Sequence, residues 1–372
     1  MSTCISAIGT ANPEFRAGQT SILEFMVAAF GLEKNNAARL KQIYDHSGIE
    51  NRYSVIPDFD GHKDKSSNFF SDDPKLEFPG TAERMKLYQD NALDLAVNAS
   101  RNCFKQIAES ITASITHLIT VSCTGMYAPG LDIELVDKLG LRRDTERICI
   151  NFMGCYGAMN ALKTADYICR AEPDAKVLIV CVELCTIHFQ KDNTLDNWVA
   201  NSLFSDGAAA ALIENSSSRK LPEAYFELGT FHSEFIPEAR DEMGWYIGNT
   251  GFEMRLTSKI SKLILKHLRA VADKLILKSG EKSGDIRNFA IHPGGRKILE
   301  AAEQALGFEA EKNRFAYEVL RDYGNMSSPT ILFVLQKMLA SKTPDHNENI
   351  MALAFGPGLT VESAILKKKI NA

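Results

Sequence analysis

The chain has 372 residues, which is enough for two domains of ordinary size or for one duplicated domain. Hydrophobic residues make up 45% of it and charged residues 24%, which is typical of a globular enzyme with a sizeable core. The 42 basic and 47 acidic residues give a formal charge of −5, and this balance does not indicate a nucleic-acid partner.

The eight cysteines are scattered and do not form the pattern of a disulfide framework. Cys181 and Cys185 are four residues apart, but no second Cys or His pair lies near them, so no metal site is predicted. The N-terminus lacks the basic and apolar regions of a signal peptide, and the apolar stretch 177–185 is too short to cross a bilayer as a helix. We therefore expect a reduced, cytoplasmic protein with no membrane partner.

The predicted elements alternate along the chain. Apolar runs predict strands covered on both faces, and they lie at 117–122, 176–183, 208–213, 289–292 and 350–355. Apolar residues at helical spacing predict helices over 156–171 and 256–277. Strands that alternate with helices favour a layered α/β fold.

Two segments predict surface loops because they are polar and contain Gly or Pro, namely 57–80 and 278–287. A strand-like run also ends in a polar, Pro-containing segment at 215–225. This change predicts a boundary that divides the chain into residues 1–220 and 221–372.

Cys155 stands between a strand-like run and a helix, directly after Gly154. At a helix N-terminus, unpaired backbone N–H groups and the positive end of the helix dipole favour an anion. A thiol placed there can become a thiolate nucleophile. The alternative is a buried, inert cysteine beside a glycine packing contact, and this segment alone does not decide between them.

Two further junctions carry polar side chains that could face a cleft. His292 ends a strand-like run before a Pro-Gly-Gly turn, and Asn325 lies in a Gly-Asn turn. Ser328 is predicted to cap the next helix, with Pro329 at its first position. A hydrogen-bonded structural histidine and an asparagine that simply tolerates its turn are the alternatives.

The order Cys, His, Asn suits a nucleophile, a group that polarises or moves protons, and a hydrogen-bond donor. Papain-like proteases use the same residue types, but their local cysteine signature is absent. A fourth segment, 354–363, carries Gly356, Pro357 and Gly358 after a strand, and glycine permits close approach of a ligand. A strand-ending turn would explain that segment equally well.

Together these segments resemble the motifs of type III polyketide synthases, the chalcone and stilbene synthase family. The resemblance is carried by MGC around Cys155, HPGG from His292, YGNMSS around Asn325 and FGPGLT from Phe355. The segments at 7–13, 116–125, 203–210 and 243–252 are also similar to the family, nearly end to end and in the right order. The segments 123–125 and 243–252 are more similar to bacterial members than to plant ones.

The resemblance implies a thiolase-type fold of two similar α/β halves, each a five-stranded sheet between helices. It also implies a homodimer that acts on CoA thioesters, with malonyl-CoA and acyl-CoA as substrates and with no metal, redox cofactor or carrier protein. The predicted boundary near residue 220 fits the two halves, with Cys155 in the first and with His292 and Asn325 in the second.

Carried over by motif, Cys155 would accept the acyl group. His292 and Asn325 would stabilise the thioester oxyanion and the enolate formed by decarboxylation of malonyl-CoA, and His292 would help to hold Cys155 as a thiolate. Phe204 matches an aromatic gatekeeper between the CoA tunnel and the cavity. The loop of Gly356, Pro357 and Gly358 would shape the cavity floor.

Four departures from the plant pattern concern the substrate. Met254 replaces the second gatekeeper phenylalanine, and its flexibility can admit a longer or differently shaped chain. Ala128 replaces a methionine that reaches the partner's cavity, and Cys123 replaces a threonine of the cavity wall. Cys123 is therefore either a wall residue or a second functional thiol. The segment 45–53 is less basic than in plant members, which leaves Arg52 as the best candidate to hold the CoA phosphates.

Two other functions remain open at this point. A ketoacyl-ACP synthase that starts fatty-acid synthesis would share the fold, but it normally carries an H-Q-A-N motif where this chain has HPGG. A non-catalytic relative on the same scaffold would usually lose the nucleophile, and all three polar residues are present here. The sequence does not predict the starter, the number of extensions or the mode of ring closure.

Overall fold

The computed structural model describes residues 2–59, 69–107, 111–217, 220–342 and 346–371. Its strands are β1 (Thr3–Ala11), β2 (Phe15–Gly18), β3 (Asn51–Ser54), β4 (His117–Ser122), β5 (Glu146–Asn151), β6 (Lys176–Leu184), β7 (Asp206–Asn215), β8 (Ala224–Phe235), β9 (Met243–Gly248), β10 (Gly251–Leu256), β11 (Ile286–Ile291), β12 (Asn349–Gly356) and β13 (Thr360–Ile370). Its helices are α1 (Gln19–Ala29), α2 (Lys34–Asp45), α3 (Thr81–Phe104), α4 (Leu131–Leu139), α5 (Gly157–Ala171), α6 (Leu195–Leu203), α7 (Ile260–Ser279), α8 (Arg296–Leu306), α9 (Arg314–Tyr323) and α10 (Thr330–Ala340).

Within these described ranges, nine strands form one sheet in the order β11-β12-β13-β8-β1-β7-β6-β4-β5. The strands before residue 220 supply five neighbours, β1-β7-β6-β4-β5, and the strands after it supply four. The expectation of five strands in each half therefore holds for the first half and is wrong for the second, and one sheet joins the two because β1 pairs with β7 on one side and with β8 on the other. The division at residue 220 itself stays a prediction.

The sheet is covered on both faces, as the uninterrupted apolar runs predict. All ten residues of β7 are buried. Its odd-numbered residues Ala209, Ala211 and Ile213 pack in a core with α5, α7, α8 and α10. Its even-numbered residues, among them Ala208 and Leu212, pack with α3 and α4 on the other face. A strand buried on both faces needs no polar alternation, which explains the run of alanines.

All five predicted strands are present, but some predicted boundaries are wrong. The helix predicted over 256–277 runs from 260 to 279, because residues 251–256 pair with β9 as a strand. The loop predicted at 278–287 is shorter than expected, since α7 ends at Ser279 and β11 begins at Ile286. In the loop predicted at 57–80, residues 60–68 lie outside the described residues, and 57–59 form one helical turn.

The expected cap of α10 also differs. The helix begins at Thr330 with Pro329 in the capping position. Ser328 does not cap it, because its hydroxyl donates to the buried carboxylate of Glu183, with Oγ and Oε1 2.6 Å apart. That hydrogen bond ties the start of α10 to the end of β6, beside the turn that carries Asn325.

Candidate active site

Cys155 lies in the connection between β5 and α5. A single helical turn at residues 154–156 precedes α5, so the predicted position near a helix N-terminus is confirmed. Gly154 makes the turn possible, because its φ of 67° is unfavourable for other residues and a Cβ there would lie 2.7 Å from Pro357 Cδ. The sequence MGC therefore places the sulfur at a tight contact between the two halves of the chain.

Asn325 reaches Cys155 from the later part of the chain. Its Nδ2 lies 3.9 Å from Cys155 Sγ and 3.4 Å from the carbonyl oxygen of Gly294. Its Oδ1 accepts a hydrogen bond from the Ser327 amide at 2.8 Å. This bond fixes the orientation of the carboxamide, so that the amide donor is directed toward the sulfur.

His292 follows directly after β11 and is 1% exposed. Its backbone amide donates to the Leu353 carbonyl at 2.8 Å, which continues the pairing with β12. Among the described residues, neither ring nitrogen of His292 has a hydrogen-bond partner. A buried polar group without a partner is costly, so such groups mark places where a ligand can complete the bonding.

Burial has the largest effect on the pKa of both Cys155 and His292. It raises the pKa of Cys155 to about 11, although hydrogen bonds from Ser327 and Asn325 oppose the shift. It lowers the pKa of His292 to about 3. These shifts favour the uncharged form of each group near neutral pH, whereas the resemblance implies a thiolate held by His292. The physical reason is that desolvation penalises each charged form more than the surroundings stabilise it.

Cys155, His292 and Asn325 line one cavity of about 1150 Å³. Phe204, at the end of α6, and Met254, on β10, line the same cavity and pack with Cys155. The fold thus brings together five of the predicted residues from five separate segments of the chain. Most of the remaining inner wall is apolar, formed by Val199, Leu203, Met243, Leu256, Ile260, Ile298 and Phe355.

Cys123 and the loop 356–358 are not among the described residues that line the cavity. Cys123 is buried, with its sulfur 3.4 Å from Ser327 Oγ, and burial raises its pKa well above the usual value. Gly356 lies against the ring of Tyr156, and Pro357 lies against Gly154. The loop therefore supports the turn that carries Cys155, and its role in shaping the cavity floor stays a prediction.

The prediction that Arg52 holds the CoA phosphates is wrong. Arg52 is only 2% exposed, and its Nη1 donates to the backbone carbonyls of Asn201 and Phe204 at 2.7 and 2.8 Å. Its Nε donates to Gln19 Oε1 at 2.9 Å. A guanidinium enclosed in this way is not available to an anionic ligand in the cavity.

Sequence reasoning missed three residues close to the nucleophile. Ser327 hydrogen-bonds Cys155 and Cys123, and Cys185 packs against Cys155 and Phe204. Glu183 is fully buried and accepts bonds from the Cys123 amide and from the hydroxyls of Thr124 and Ser328. Burial raises the pKa of this carboxyl group. A single Glu at the end of the apolar run 176–183 was the one signal that could have drawn attention to it.

In the described part of the chain, no group of His, Cys, Asp and Glu is arranged to bind a metal ion. None of the described helices combines the length and the apolar character that a bilayer crossing requires.

Comparison with known proteins places the chain in one family. Residues 2–217 match the N-terminal domain of chalcone and stilbene synthases, and residues 227–370 match their C-terminal domain. The alpha-pyrone synthesis polyketide synthase-like Pks18 of Mycobacterium tuberculosis is 31% identical over 363 residues, which cover 97% of this chain and 90% of that protein. Type III polyketide synthase B of Arabidopsis thaliana is also 31% identical, over 98% of this chain and 94% of that protein.

Solved structures agree with this assignment. The crystal structure of PKS-I from the brown alga Ectocarpus siliculosus superposes with a TM-score of 0.91 at 30% identity, over 98% of both chains. The C-terminal type III polyketide synthase domain of Steely1 from Dictyostelium gives a TM-score of 0.91 at 28% identity, over 100% of both chains. These likenesses confirm the predicted thiolase-type α/β fold.

The comparisons also decide between the functions that the sequence left open. They favour a polyketide synthase over a ketoacyl-ACP synthase and over a non-catalytic partner protein, and they confirm an acyl-transferring enzyme. Enzymes of this kind use CoA thioesters as substrates and need no cofactor. The chain therefore belongs to the chalcone and stilbene synthase family and is a type III polyketide synthase.

Proposed function

We propose that Cys155 takes an acyl group from a CoA thioester and that malonyl-CoA then extends this group. The sulfur attacks the thioester carbonyl, and CoA leaves as its thiol with the proton that Cys155 gives up. Malonyl-CoA loses CO2, and the carbon of the resulting enolate attacks the acyl carbonyl, which forms a C–C bond and releases Cys155. Repetition and ring closure give a pyrone, resorcinol, phloroglucinol or naphthalene product.

His292 and Asn325 act on the oxygen that becomes negative. When CO2 leaves, charge develops on the thioester oxygen, and two fixed N–H donors lower the barrier to its formation. The observation that carries this proposal is the 3.9 Å contact between Asn325 Nδ2 and Cys155 Sγ. The buried imidazole of His292 lines the same cavity, and its nitrogens have no hydrogen-bond partner among the described residues. Removal of one such donor typically costs about 3 kcal/mol.

The neutral state of Cys155 is consistent with activation by the bound substrate. Loss of the thiol proton is unfavourable because burial raises the pKa of Cys155. The neutral His292, which has a ring nitrogen able to accept, can take that proton while the thioester is attacked and can return it to the leaving CoA.

An aliphatic acyl starter suits the cavity best. The inner wall is formed mainly by Leu, Ile, Val and Met side chains with Phe355, and Met254 stands where plant members carry the second gatekeeper phenylalanine. Apolar surface of this kind favours a hydrocarbon chain over a polar starter. The relative from Mycobacterium tuberculosis is named for alpha-pyrone synthesis, which supports a pyrone as the first product to seek.

The exposed end of the cavity carries the positive charge that a CoA phosphate needs. Arg39 on α2, Lys262 on α7 and Lys297 on α8 line it and are exposed. Lys297 lies in the first turn of α8, where the helix dipole also favours an anion. We assign the phosphates of CoA to these three residues in place of Arg52.

The test is incubation with malonyl-CoA and a panel of acyl-CoA starters, without carrier protein, followed by mass spectrometry of the products. We expect pyrones or resorcinols from aliphatic starters. Product that forms only with malonyl-carrier protein would contradict the proposal, as would undiminished product formation by Cys155→Ala.

A homodimer is proposed through β5, which ends the nine-stranded sheet of the described residues. An edge strand that is not protected can pair with the same strand of a second copy about a two-fold axis. Ile148 on β5 is 36% exposed, and Ile133 on the adjacent α4 is 45% exposed. Both apolar side chains would be covered by such a partner.

Sedimentation of Ile148→Lys tests this interface. We expect the wild type to sediment as a dimer and the variant as a monomer. Leu277→Lys is the matched control, because Leu277 is an exposed apolar residue on α7, away from β5. An unchanged dimer in Ile148→Lys would contradict the interface. We also propose that the enzyme is cytoplasmic.

A further inference from the structure

The carbonyls of residues 201–204, at the C-terminal end of α6, accept hydrogen bonds from donors outside the helix. The last carbonyls of a helix have no partners within it and need donors from elsewhere. Arg52 Nη1 donates to the carbonyls of Asn201 and Phe204, and Gln19 Nε2 donates to that of Ser202 at 2.8 Å. The fourth carbonyl, of Leu203, accepts from the backbone amide of Asn325 at 2.9 Å.

Arg52 is built into this end as a fixed cation. It is 2% exposed, and its guanidinium carbon lies 5.7 Å from the centroid of the Tyr44 ring and 5.6 Å from that of Phe189. A cation at a helix C-terminus is favourable because the last carbonyls carry partial negative charge. The flat guanidinium donates to two carbonyls and to Gln19 at once, which a lysine ammonium of different shape cannot reproduce.

The same side chain touches the turn that carries Asn325. The φ of Gly324 is 69°, and a Cβ there would lie 3.0 Å from Arg52 Cγ, so the turn packs directly on the arginine stem. Asn325 and the end of α6 are also joined by two backbone bonds, since the Ser205 amide donates to the Asn325 carbonyl at 2.9 Å. Arg52 is therefore in contact with both strands of this backbone bridge.

Two catalytic-site side chains are attached to that bridge. Phe204, which lines the cavity, pairs across it with Asn325, whose amide faces Cys155. A change in the bridge would move Asn325 relative to the sulfur, and displacement of a catalytic group by about 1 Å can cost about 100-fold in rate. The position of the Asn325 donor thus depends on how the end of α6 is held.

We propose that Arg52 is a positioning residue for Asn325 and Phe204, acting through the C-terminal end of α6. The inference rests on the proposed function, in which Asn325 stabilises the enolate. Arg52 itself touches no substrate, so its loss should slow decarboxylation without weakening the binding of malonyl-CoA.

The experiment compares Arg52→Lys and Arg52→Met with Arg84→Lys. Arg84 is a matched control because it is also buried and donates to the carbonyls of Pro79, Ile187 and Phe189, and none of these three residues lies on α6 or in the Asn325 turn. For Arg52→Lys we expect kcat for malonyl-CoA decarboxylation to fall at least about tenfold, with KM within about threefold of the wild type. Arg84→Lys should keep both values within about twofold, at a comparable loss of melting temperature.

Amide hydrogen exchange gives a readout that does not depend on activity. In Arg52→Lys, peptides covering 201–206 and 323–328 should exchange at least about tenfold faster than in the wild type, and in Arg84→Lys they should not. Equal falls in kcat for both lysine variants, or unchanged exchange in Arg52→Lys, would overturn the inference. A wild type that decarboxylates nothing would refute the proposed function, and the exchange rates would still decide the role of Arg52. If Arg52→Met does not fold, Arg52→Lys provides both measurements.

Discussion

The two ends of the cavity differ in burial and in charge. The inner end, around Cys155 and His292, is buried, and burial there disfavours the charged form of both groups. The outer end carries exposed Arg39, Lys262 and Lys297, whose charges are screened by water. Removal of a buried polar group at the inner end should change the free energy of the reaction far more than removal of an exposed charge at the outer end. Water cannot replace the lost hydrogen bond at a buried position. We therefore expect substitutions at the inner end to lower kcat strongly and those at the outer end to raise KM modestly.

The largest effect is expected at the nucleophile. Cys155→Ala should lower product formation at least about 1000-fold, because no other group would carry the acyl chain. Mass spectrometry of the products measures this. Cys185→Ser is the control, since Cys185 is a buried thiol that packs against Cys155. A similar loss in both variants would mean that the site depends on packing and not on the sulfur of Cys155.

Loss of the amide donor should have the next largest effect. Asn325→Ala should lower kcat for malonyl-CoA decarboxylation by about 100-fold, because one donor to the developing oxyanion is removed. The initial rate of CO2 release measures it. His117→Gln is a control for general disturbance of a buried polar site, since His117 is buried on β4 and bonds to Thr116. Decarboxylation at the normal rate in Asn325→Ala would contradict the assigned role.

The pH dependence of alkylation reports the charge state of the inner end. Because the pKa of Cys155 is raised to about 11, the thiolate fraction grows about tenfold per pH unit through the neutral range. The rate of inactivation of the unliganded enzyme by iodoacetamide should therefore rise by about 100-fold between about pH 7 and pH 9. A rate that is already constant below pH 7 would show a thiolate paired with a charged His292, and would refute the neutral resting pair.

Starter selection is expected to respond at the side wall of the cavity. Met254→Phe places a rigid ring where a flexible side chain now packs beside Phe204. The ratio of kcat/KM for a short acyl-CoA over a long one should rise about tenfold, because a hydrophobic pocket discriminates chain length by about 1–3 kcal/mol per methylene. Competition between two starters in one reaction measures this ratio. An unchanged ratio would show that Met254 does not select the chain length of the starter.

The smallest effect is expected at the mouth. Lys262→Ala and Lys297→Ala should each raise KM for malonyl-CoA by about threefold and leave kcat unchanged, since an exposed ion pair contributes about 1 kcal/mol or less. Higher salt should reduce the difference from the wild type. Lys86→Ala is the control, because Lys86 pairs with Asp90 on α3 and does not line the cavity. A large fall in kcat at either position would contradict the division between the two ends.

Much of the fold follows from periodicity that is local in the chain. The run at 208–213 is a strand buried on both faces, and the helix at 156–171 begins within one residue of its predicted start. The helix predicted to start at 256 is the exception. Residues 251–256 have enough apolar character for either structure, and pairing with β9 decides for a strand.

The candidate site was predictable where chemistry needs a particular residue type in a particular local setting. Cys155 at a helix start, and the polar residues His292 and Asn325 at junctions, are signals of this kind, and all three line one cavity. Arg52 had no such setting, since a positive charge in the sequence does not specify whether it is solvated or enclosed. Ser327 and Glu183 were missed for the same reason, because their importance comes from contacts across the fold.

The sequence by itself determined the alternation of strands and helices and the residue types that the chemistry uses, because backbone preferences and side-chain spacing are local properties. Tertiary structure alone decided that Arg52 is buried against α6, that burial shifts the pKa values of Cys155 and His292, and that Pro357 packs on Gly154. The burial of a side chain, and therefore its desolvation and its charge, depends on which distant segments of the chain pack around it. A short stretch of sequence does not specify those contacts.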